Sequence, residues 1–81
     1  EITLRTSLKE AAYLCDLPLH PSQRLVSKSD RDAVISLGVC PHDSLIMDLV
    51  RLGSRIEVLS PPEIRERVID EIKKMNGIYK I

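Results

Sequence analysis

Two cysteines and two histidines are the side chains that could bind a metal ion, namely Cys15, His20, Cys40 and His42. Structural zinc sites usually pair their ligands about two to four residues apart, and only Cys40 and His42 lie close together in sequence. Cys15 falls on the inner stripe of a predicted helix, where a small buried apolar residue is the simplest interpretation. We therefore predict no metal site and no cofactor.

The sequence carries no recognisable catalytic constellation. His20 could act as a general base, but the sequence places no nucleophile next to it. The three glycines are isolated and do not form a phosphate-binding loop. We predict a protein without enzymatic activity.

Charge and aromatic content argue against nucleic-acid binding. The 12 basic and 12 acidic residues are intermixed and cancel, so no long-range field would attract nucleic acid or a membrane surface. The chain has no Phe and no Trp, and its two tyrosines, Tyr13 and Tyr79, lie on predicted helices. Bases would therefore find no stacking platform on a sheet. Arg5 and Arg24 could contact phosphates, although such arginines are usually solvated.

Length and cysteine content point to a single domain whose cysteines are reduced. At 81 residues the chain can build a single core, which we assign to residues 1–81. Two cysteines do not form the dense framework of a small secreted domain, and no apolar run is long enough to span a membrane. We expect a cytoplasmic protein. Because the chain begins at Glu1 with strand-like sequence, we also expect a fragment of a larger protein.

Apolar periodicity predicts four strands and three helices. The strands are predicted near residues 2–5, 23–28, 33–39 and 56–59. Ser7 starts a capping box for the first helix, which Pro18 ends. The second helix is opened by Pro41, His42 and Asp43 and closed by Gly53.

The third helix has the most complete start signal. Ser60 is a preferred N-cap, Pro61 fits the first helical position, and Glu63 can reach back to the cap. Gly77 is the predicted stop. An apolar stripe follows the cap, and it must be buried against the chain's own sheet or against a second copy. We predict interface residues on this stripe at Ile64, Val68 and Ile72, with Met75 continuing it.

The order strand, helix, strand, strand, helix, strand predicts an α+β fold. Two split βαβ units give a ferredoxin-like βαββαβ two-layer sandwich, here with an additional C-terminal helix. The first and third strands would be central. The sheet face away from the helices would then show Thr3, Arg5, Val34, Ser36 and Gly38.

Three stretches together resemble a known family. They are Leu19-His20-Pro21-Ser22-Gln23, Leu49-Val50-Arg51-Leu52-Gly53, and Ile56-Glu57-Val58-Leu59-Ser60-Pro61-Pro62-Glu63-Ile64-Arg65-Glu66 with its following helix. In order and spacing they are similar to the C-terminal extension (WCX) of bacterial WYL-domain transcriptional regulators, which are DeoR-like helix-turn-helix proteins. That family usually places a winged helix-turn-helix and a WYL domain ahead of the extension, and neither is present here. DNA binding would therefore reside outside these residues.

The resemblance implies a role in dimer assembly and in shaping an effector site. The matching positions are His20, Ser22, Gln23, Ser60, Pro61 and Arg65. Each also has a purely structural interpretation, since Ser60 and Pro61 can simply cap a helix and the loop residues can satisfy local backbone groups. With the polar residues of the predicted strands added, the candidate ligand-binding residues are Arg5, His20, Ser22, Gln23, Arg24, Ser36 and Arg65.

Two hypotheses about function stay open. The first is an interaction module that pairs with a second copy, as a homodimer, or with the WYL domain of its own regulator. The second is a ligand-sensing module that resembles ACT-like ferredoxin-like domains and binds a small molecule or nucleotide. We favour the interaction module, because the loop before the second strand lacks a glycine-rich turn for close approach to a ligand.

Overall fold

The computed structural model describes residues 1–40 and 43–80. Four strands and three α-helices follow one another in the predicted order, with one short 3-10 turn before the last strand. Their bounds are β1 (Ile2–Ser7), α1 (Leu8–Asp16), β2 (Arg24–Lys28), β3 (Asp32–Leu37), α2 (Asp43–Arg51), the 3-10 turn (Gly53–Arg55), β4 (Ile56–Ser60) and α3 (Pro62–Tyr79). This mixed α/β architecture is compatible with the predicted α+β class.

The strands form one antiparallel sheet in the order β2-β3-β1-β4. β1 and β3 are therefore central, and β2 and β4 lie at the edges. Two bulges interrupt the ladders. Val26 is the extra residue in β2, between Leu25 and Ser27, and Leu59 is the extra residue in β4, between Val58 and Ser60.

α1 begins and packs as predicted. The Ser7 hydroxyl accepts a hydrogen bond from the Glu10 amide at 3.1 Å, which satisfies one of the free donors at the helix start. Ala11 and Leu14 are buried together with Ala33 and Ile35 of β3. The burial of Ala33 and Ile35 agrees with the predicted faces of β3, whereas the inner face of α1 agrees with the prediction only in part.

Cys15 is exposed, so its predicted burial is wrong. The inner face of α1 is narrow, with burial confined to Ala11 and Leu14 among its residues. Position 15 lies next to Leu14 in sequence but about 100° further around the helix, on the side facing water. Cys40 is exposed as well, and both thiols are free.

α2 packs in the larger of the two core clusters. Leu45, Ile46 and Leu49 are buried, as the helical spacing predicts. They pack against one end of the sheet, at Ile2, Leu4, Leu37 and Val58. Pro41 and His42, which we predicted to open this helix, lie outside the described residues. The chain leaves α2 through Gly53, whose φ of +60° favours glycine.

Both predicted ends of α3 are wrong. The N-cap is Pro61 without a side-chain cap, because Ser60 is held in β4 opposite Thr3 and its backbone stays in the sheet. At the other end the helix continues through Gly77. Lys80 takes the left-handed position, and its amide donates to the Asn76 carbonyl at 2.7 Å.

No helix within residues 1–40 and 43–80 combines the length and the apolar character that a membrane crossing needs.

Candidate functional site

The sheet face opposite the helices carries a row of polar residues. Strand register aligns Arg24 with Ser36, Ser36 with Thr3, and Thr3 with Ser60. The extra residues Val26 and Leu59 each shift the register of an edge strand by one position, which places Arg24 opposite Ser36 and Ser60 opposite Thr3. The four polar side chains therefore share a face. We call this row of Arg24, Ser36, Thr3 and Ser60 the polar row.

Arg24 covers Ser36 within this row. Its Nε donates to Ser36 Oγ at 3.0 Å, and its Nη2 donates to Glu1 Oε2 at 2.8 Å. Ser36 is consequently only 2% exposed, although it lies on the open face. The Arg24–Glu1 pair itself is exposed and adds little stability. The structure therefore brings together two of the predicted site residues, Arg24 and Ser36.

Two other predicted residues, Arg5 and Arg65, meet through one carboxylate. Glu57 of β4 accepts from Arg5 Nη1 at 3.2 Å through Oε1 and from Arg65 Nη1 at 3.1 Å through Oε2. This group has two cations for one anion. Its three side chains are each close to half exposed, so solvent screens the excess positive charge.

The loop residues His20 and Ser22 bind each other and the backbone. Ser22 Oγ lies 2.7 Å from His20 Nδ1, and the Ser22 amide donates to the same Nδ1 at 3.1 Å. Ser22 Oγ also accepts from the Gly38 amide at 2.9 Å. This network assigns the neutral ring its proton on Nε2, because Nδ1 accepts. The loop is thereby tied to the end of β3.

Gln23 ties the same loop to α1. Its Oε1 accepts from the Leu19 amide at 2.8 Å, and its Nε2 donates to the Leu14 carbonyl at 2.9 Å. The side chains of His20, Ser22 and Gln23 thus all bind backbone groups, although the Gly38 amide bound by Ser22 is distant in sequence. Binding to backbone is the structural alternative that the sequence analysis left open.

The second candidate surface is an apolar groove beside α3. The stripe on this helix changes along its length, since Ile64 is 4% exposed, whereas Ile72 is 55% exposed. Val68 and Ile69 are intermediate. The predicted interface residues therefore divide, with Ile64 buried in the chain's own core and Ile72 open to solvent.

A space of about 770 Å³ separates the exposed part of α3 from the rest of the molecule. We call it the α3 groove. Apolar side chains line it on both sides, with Ile69, Ile72, Met75 and Tyr79 from α3 and Leu49, Val50 and Ile56 from α2 and β4. Ile78 and Tyr79 at the end of α3 are among the most exposed large apolar residues, at 73% and 69%.

Sequence reasoning missed the wall of this groove that α2 and β4 form. It also missed Glu1 and Glu57, the acidic partners of the arginines. Glu57 could have been found, because β1 and β4 are neighbours in the predicted fold and Arg5 alternates onto the same face. No sequence signal identifies Val50 and Ile56 as groove residues. Their position depends on how α3 sits beside α2.

Within residues 1–40 and 43–80, no group of three or more His, Cys, Asp or Glu side chains could hold a metal ion. His42, one of the four metal-ligand types in the sequence, lies outside these ranges.

A known protein family matches most of the chain. The model of the WCX domain family matches residues 1–75, which include every strand and most of α3. This match confirms the part of the resemblance that concerns the WCX domain itself. No curated protein matches the chain.

Proposed function

Because the chain belongs to the WCX domain family, we propose that it is the C-terminal dimerisation and effector-response module of a WYL-type transcriptional regulator. The family suggests a regulatory C-terminal module in a transcription-regulation context, and a regulator-associated domain favours a non-catalytic role. In this proposal residues 1–81 form one domain of a larger bacterial, cytoplasmic regulator. DNA is bound by a separate N-terminal domain of that regulator.

We propose the ferredoxin-like sandwich as the finer description of the fold. The strand order β2-β3-β1-β4 supports it. The two core clusters support it as well, because α1 packs on Ala33 and Ile35 while α2 packs on Ile2, Leu4 and Leu37. These five residues share one face of the sheet, so both helices cover the same side.

The observation that carries the assembly proposal is the exposure of α3 beyond its first two turns. Burying a large apolar side chain contributes about 1.5–3 kcal/mol, so leaving several in water forgoes substantial stability. Ile72 and Met75 are 55% and 44% exposed, and they line a groove whose other wall is mostly apolar, with Ser54 and Glu57 as its polar side chains. Neighbouring exposed apolar residues of this kind mark interaction sites. The partner is a second copy or the WYL domain of the same regulator.

Molecular mass measured against concentration tests this proposal. We expect sedimentation equilibrium to show a monomer–dimer equilibrium that Ile72→Asp shifts to monomer. Val26→Asp is the matched control, since Val26 is also 55% exposed but lies on the edge strand β2. A chain that stays monomeric at every concentration and does not bind the WYL domain would remove the proposal. Dissociation by Val26→Asp and not by Ile72→Asp would move the interface to β2.

The polar row favours a second candidate function, the sensing of an anionic small molecule or nucleotide. Arg24 and Ser36 already form a hydrogen-bonded pair on an open face, and Arg5 and Arg65 lie on the neighbouring strand and helix. The arginines could exchange their partners Glu1 and Glu57 for a ligand phosphate or carboxylate. In this alternative His20, Ser22 and Gln23 fix the adjoining loop.

A heteronuclear NMR titration separates the two functions. Ligand sensing predicts that a nucleotide and amino-acid mixture shifts the amides of Arg24 and Ser36, with Arg24→Ala abolishing the effect. The assembly module predicts no ligand shifts and concentration-dependent broadening around Ile72. Shifts on the polar row at constant line width would favour the sensor.

A further inference from the structure

The charges on α3 are distributed unevenly along the helix. Residues 62–71 contain four acids and two arginines, whereas residues 72–80 contain three lysines and no acid. One of those arginines, Arg65, is already bound to Glu57. The first half of the helix is therefore acidic and the second half basic, and the direction of this asymmetry also follows the helix dipole.

One flank of α3 carries this asymmetry beside the apolar stripe. Glu66 and Lys73 are both exposed and seven residues apart, which places them on the same side of the helix two turns from each other. Ile69 lies between them, three residues after Glu66 and four before Lys73, so the three side chains are surface neighbours. Ile69 also lines the α3 groove.

From this arrangement we infer that α3 packs antiparallel against the α3 of a second copy, about a two-fold axis near Ile69. This inference rests on the proposed dimerisation and specifies its geometry. The axis places Glu66 beside the partner's Lys73 and Lys73 beside the partner's Glu66, which makes two equivalent ion pairs. It also brings Val68 to the level of the partner's Ile72, so apolar residues fill the centre. A parallel, in-register pairing would instead oppose like charges.

Reversal of these two charges tests the geometry. In Glu66→Lys every cross-helix contact joins two cations, and in Lys73→Glu every contact joins two anions. We expect each single variant to dimerise about tenfold more weakly than the unmodified chain at low salt. The double variant Glu66→Lys/Lys73→Glu exchanges both charges and restores opposite pairs, so its dimer dissociation constant should return to within about threefold of the original.

Mixing the two single variants provides an independent measurement. In the mixed dimer both contacts join a cation to an anion, so native mass spectrometry with one isotope-labelled variant should show the heterodimer in excess over either homodimer. Both altered side chains are on an exposed surface, and circular dichroism checks that each variant is folded. Lys9→Glu, an exposed lysine on α1, is the control and should leave the dimer unchanged.

The outcomes distinguish the inference from the function on which it rests. If no charge reversal changes the dimer dissociation constant but Ile72→Asp dissociates the dimer, the antiparallel geometry is wrong and the assembly role still holds. Double-variant dimers as weak as those of the single variants also overturn it. An unmodified chain that remains monomeric at every concentration removes this homodimer together with the geometry inferred for it.

Discussion

Arg65 in the first turn of α3 donates a hydrogen bond from Nη1 to the backbone carbonyl of Val58 in β4, over 2.7 Å. The same nitrogen lies 3.1 Å from Glu57 Oε2. One side chain therefore fixes the start of α3 to the edge strand of the sheet, immediately after the turn at Ser60 and Pro61. The position of the exposed half of α3 depends on this anchor and on the burial of Ile64.

We expect Arg65→Ala to lower the free energy of unfolding by about 1–2 kcal/mol, because it leaves the Val58 carbonyl without this charged donor. Glu57→Gln is the matched control. It removes the partly exposed ion pairs and keeps the contact to the carbonyl, so it should cost less than about 1 kcal/mol. Urea unfolding measures both. Equal losses in the two variants would mean that the carbonyl contact contributes nothing.

Two serine capping motifs show how far sequence could predict the fold. Ser7 and Ser60 are both followed three residues later by Glu, and the motif is correct only for Ser7. Ser60 fails as a cap because its backbone is paired with Thr3, which is distant in sequence. Alternation and helical spacing sufficed for the element order and for most inner-face positions, with Cys15 as an exception, since those patterns are local. Whether Ser60 ends a strand or caps a helix depends instead on pairing with a residue that is distant in sequence.

The candidate site was less predictable for a related reason. Arg24 and Ser36 were each identified as site residues, but their contact depends on the extra residue Val26, which resets the phase of β2. Bulges have no clear signature in this sequence. The α3 groove likewise depends on the angle between α3 and the sheet. The contacts of Arg65 with β4 set this angle.

Ile64 and Ile72 make a matched pair on one face of α3, two turns apart. We expect Ile64→Ala to destabilise the chain by about 2–4 kcal/mol, because Ile64 is 4% exposed and its loss leaves a cavity. Ile72→Ala should cost less than about 1 kcal/mol in the monomer, since its side chain is 55% exposed. Denaturant unfolding at low protein concentration gives both values. Similar losses of unfolding free energy in the two variants would show that the whole stripe is buried within its own chain.

Both cysteines are exposed, and their reactivity checks this directly. We expect an aromatic disulfide reagent to titrate two thiols per chain without denaturant, at rates within about tenfold of those in the unfolded chain. Cys15→Ser should leave the free energy of unfolding within about 0.5 kcal/mol of the original value. A thiol that reacts only after unfolding would restore the buried position that the helical stripe predicted for Cys15.

Ser22→Ala tests the structural role of the loop before β2. The substitution removes the acceptor of the Gly38 amide and the hydroxyl partner of His20. We expect a loss of about 1–2 kcal/mol in the free energy of unfolding. Hydrogen exchange at the Gly38 amide should become at least about tenfold faster. Ser54→Ala, at an exposed position in the 3-10 turn, should change neither quantity. Unchanged Gly38 protection would leave Ser22 available for a ligand.

Gly77 and Gly53 should respond to alanine in opposite directions. Gly77 lies inside α3, and a Cβ added there meets no atom within 4 Å. Gly77→Ala should therefore stabilise the chain by about 0.5–1 kcal/mol, since glycine in a helix costs conformational entropy. Gly53 has a φ of +60°, where any other L-residue is strained, so Gly53→Ala should destabilise by about 1 kcal/mol. Thermal unfolding measures the two changes. A lower melting temperature for Gly77→Ala would mean that α3 ends near Gly77 in solution, as the sequence pattern predicts, and that Tyr79 does not line the α3 groove.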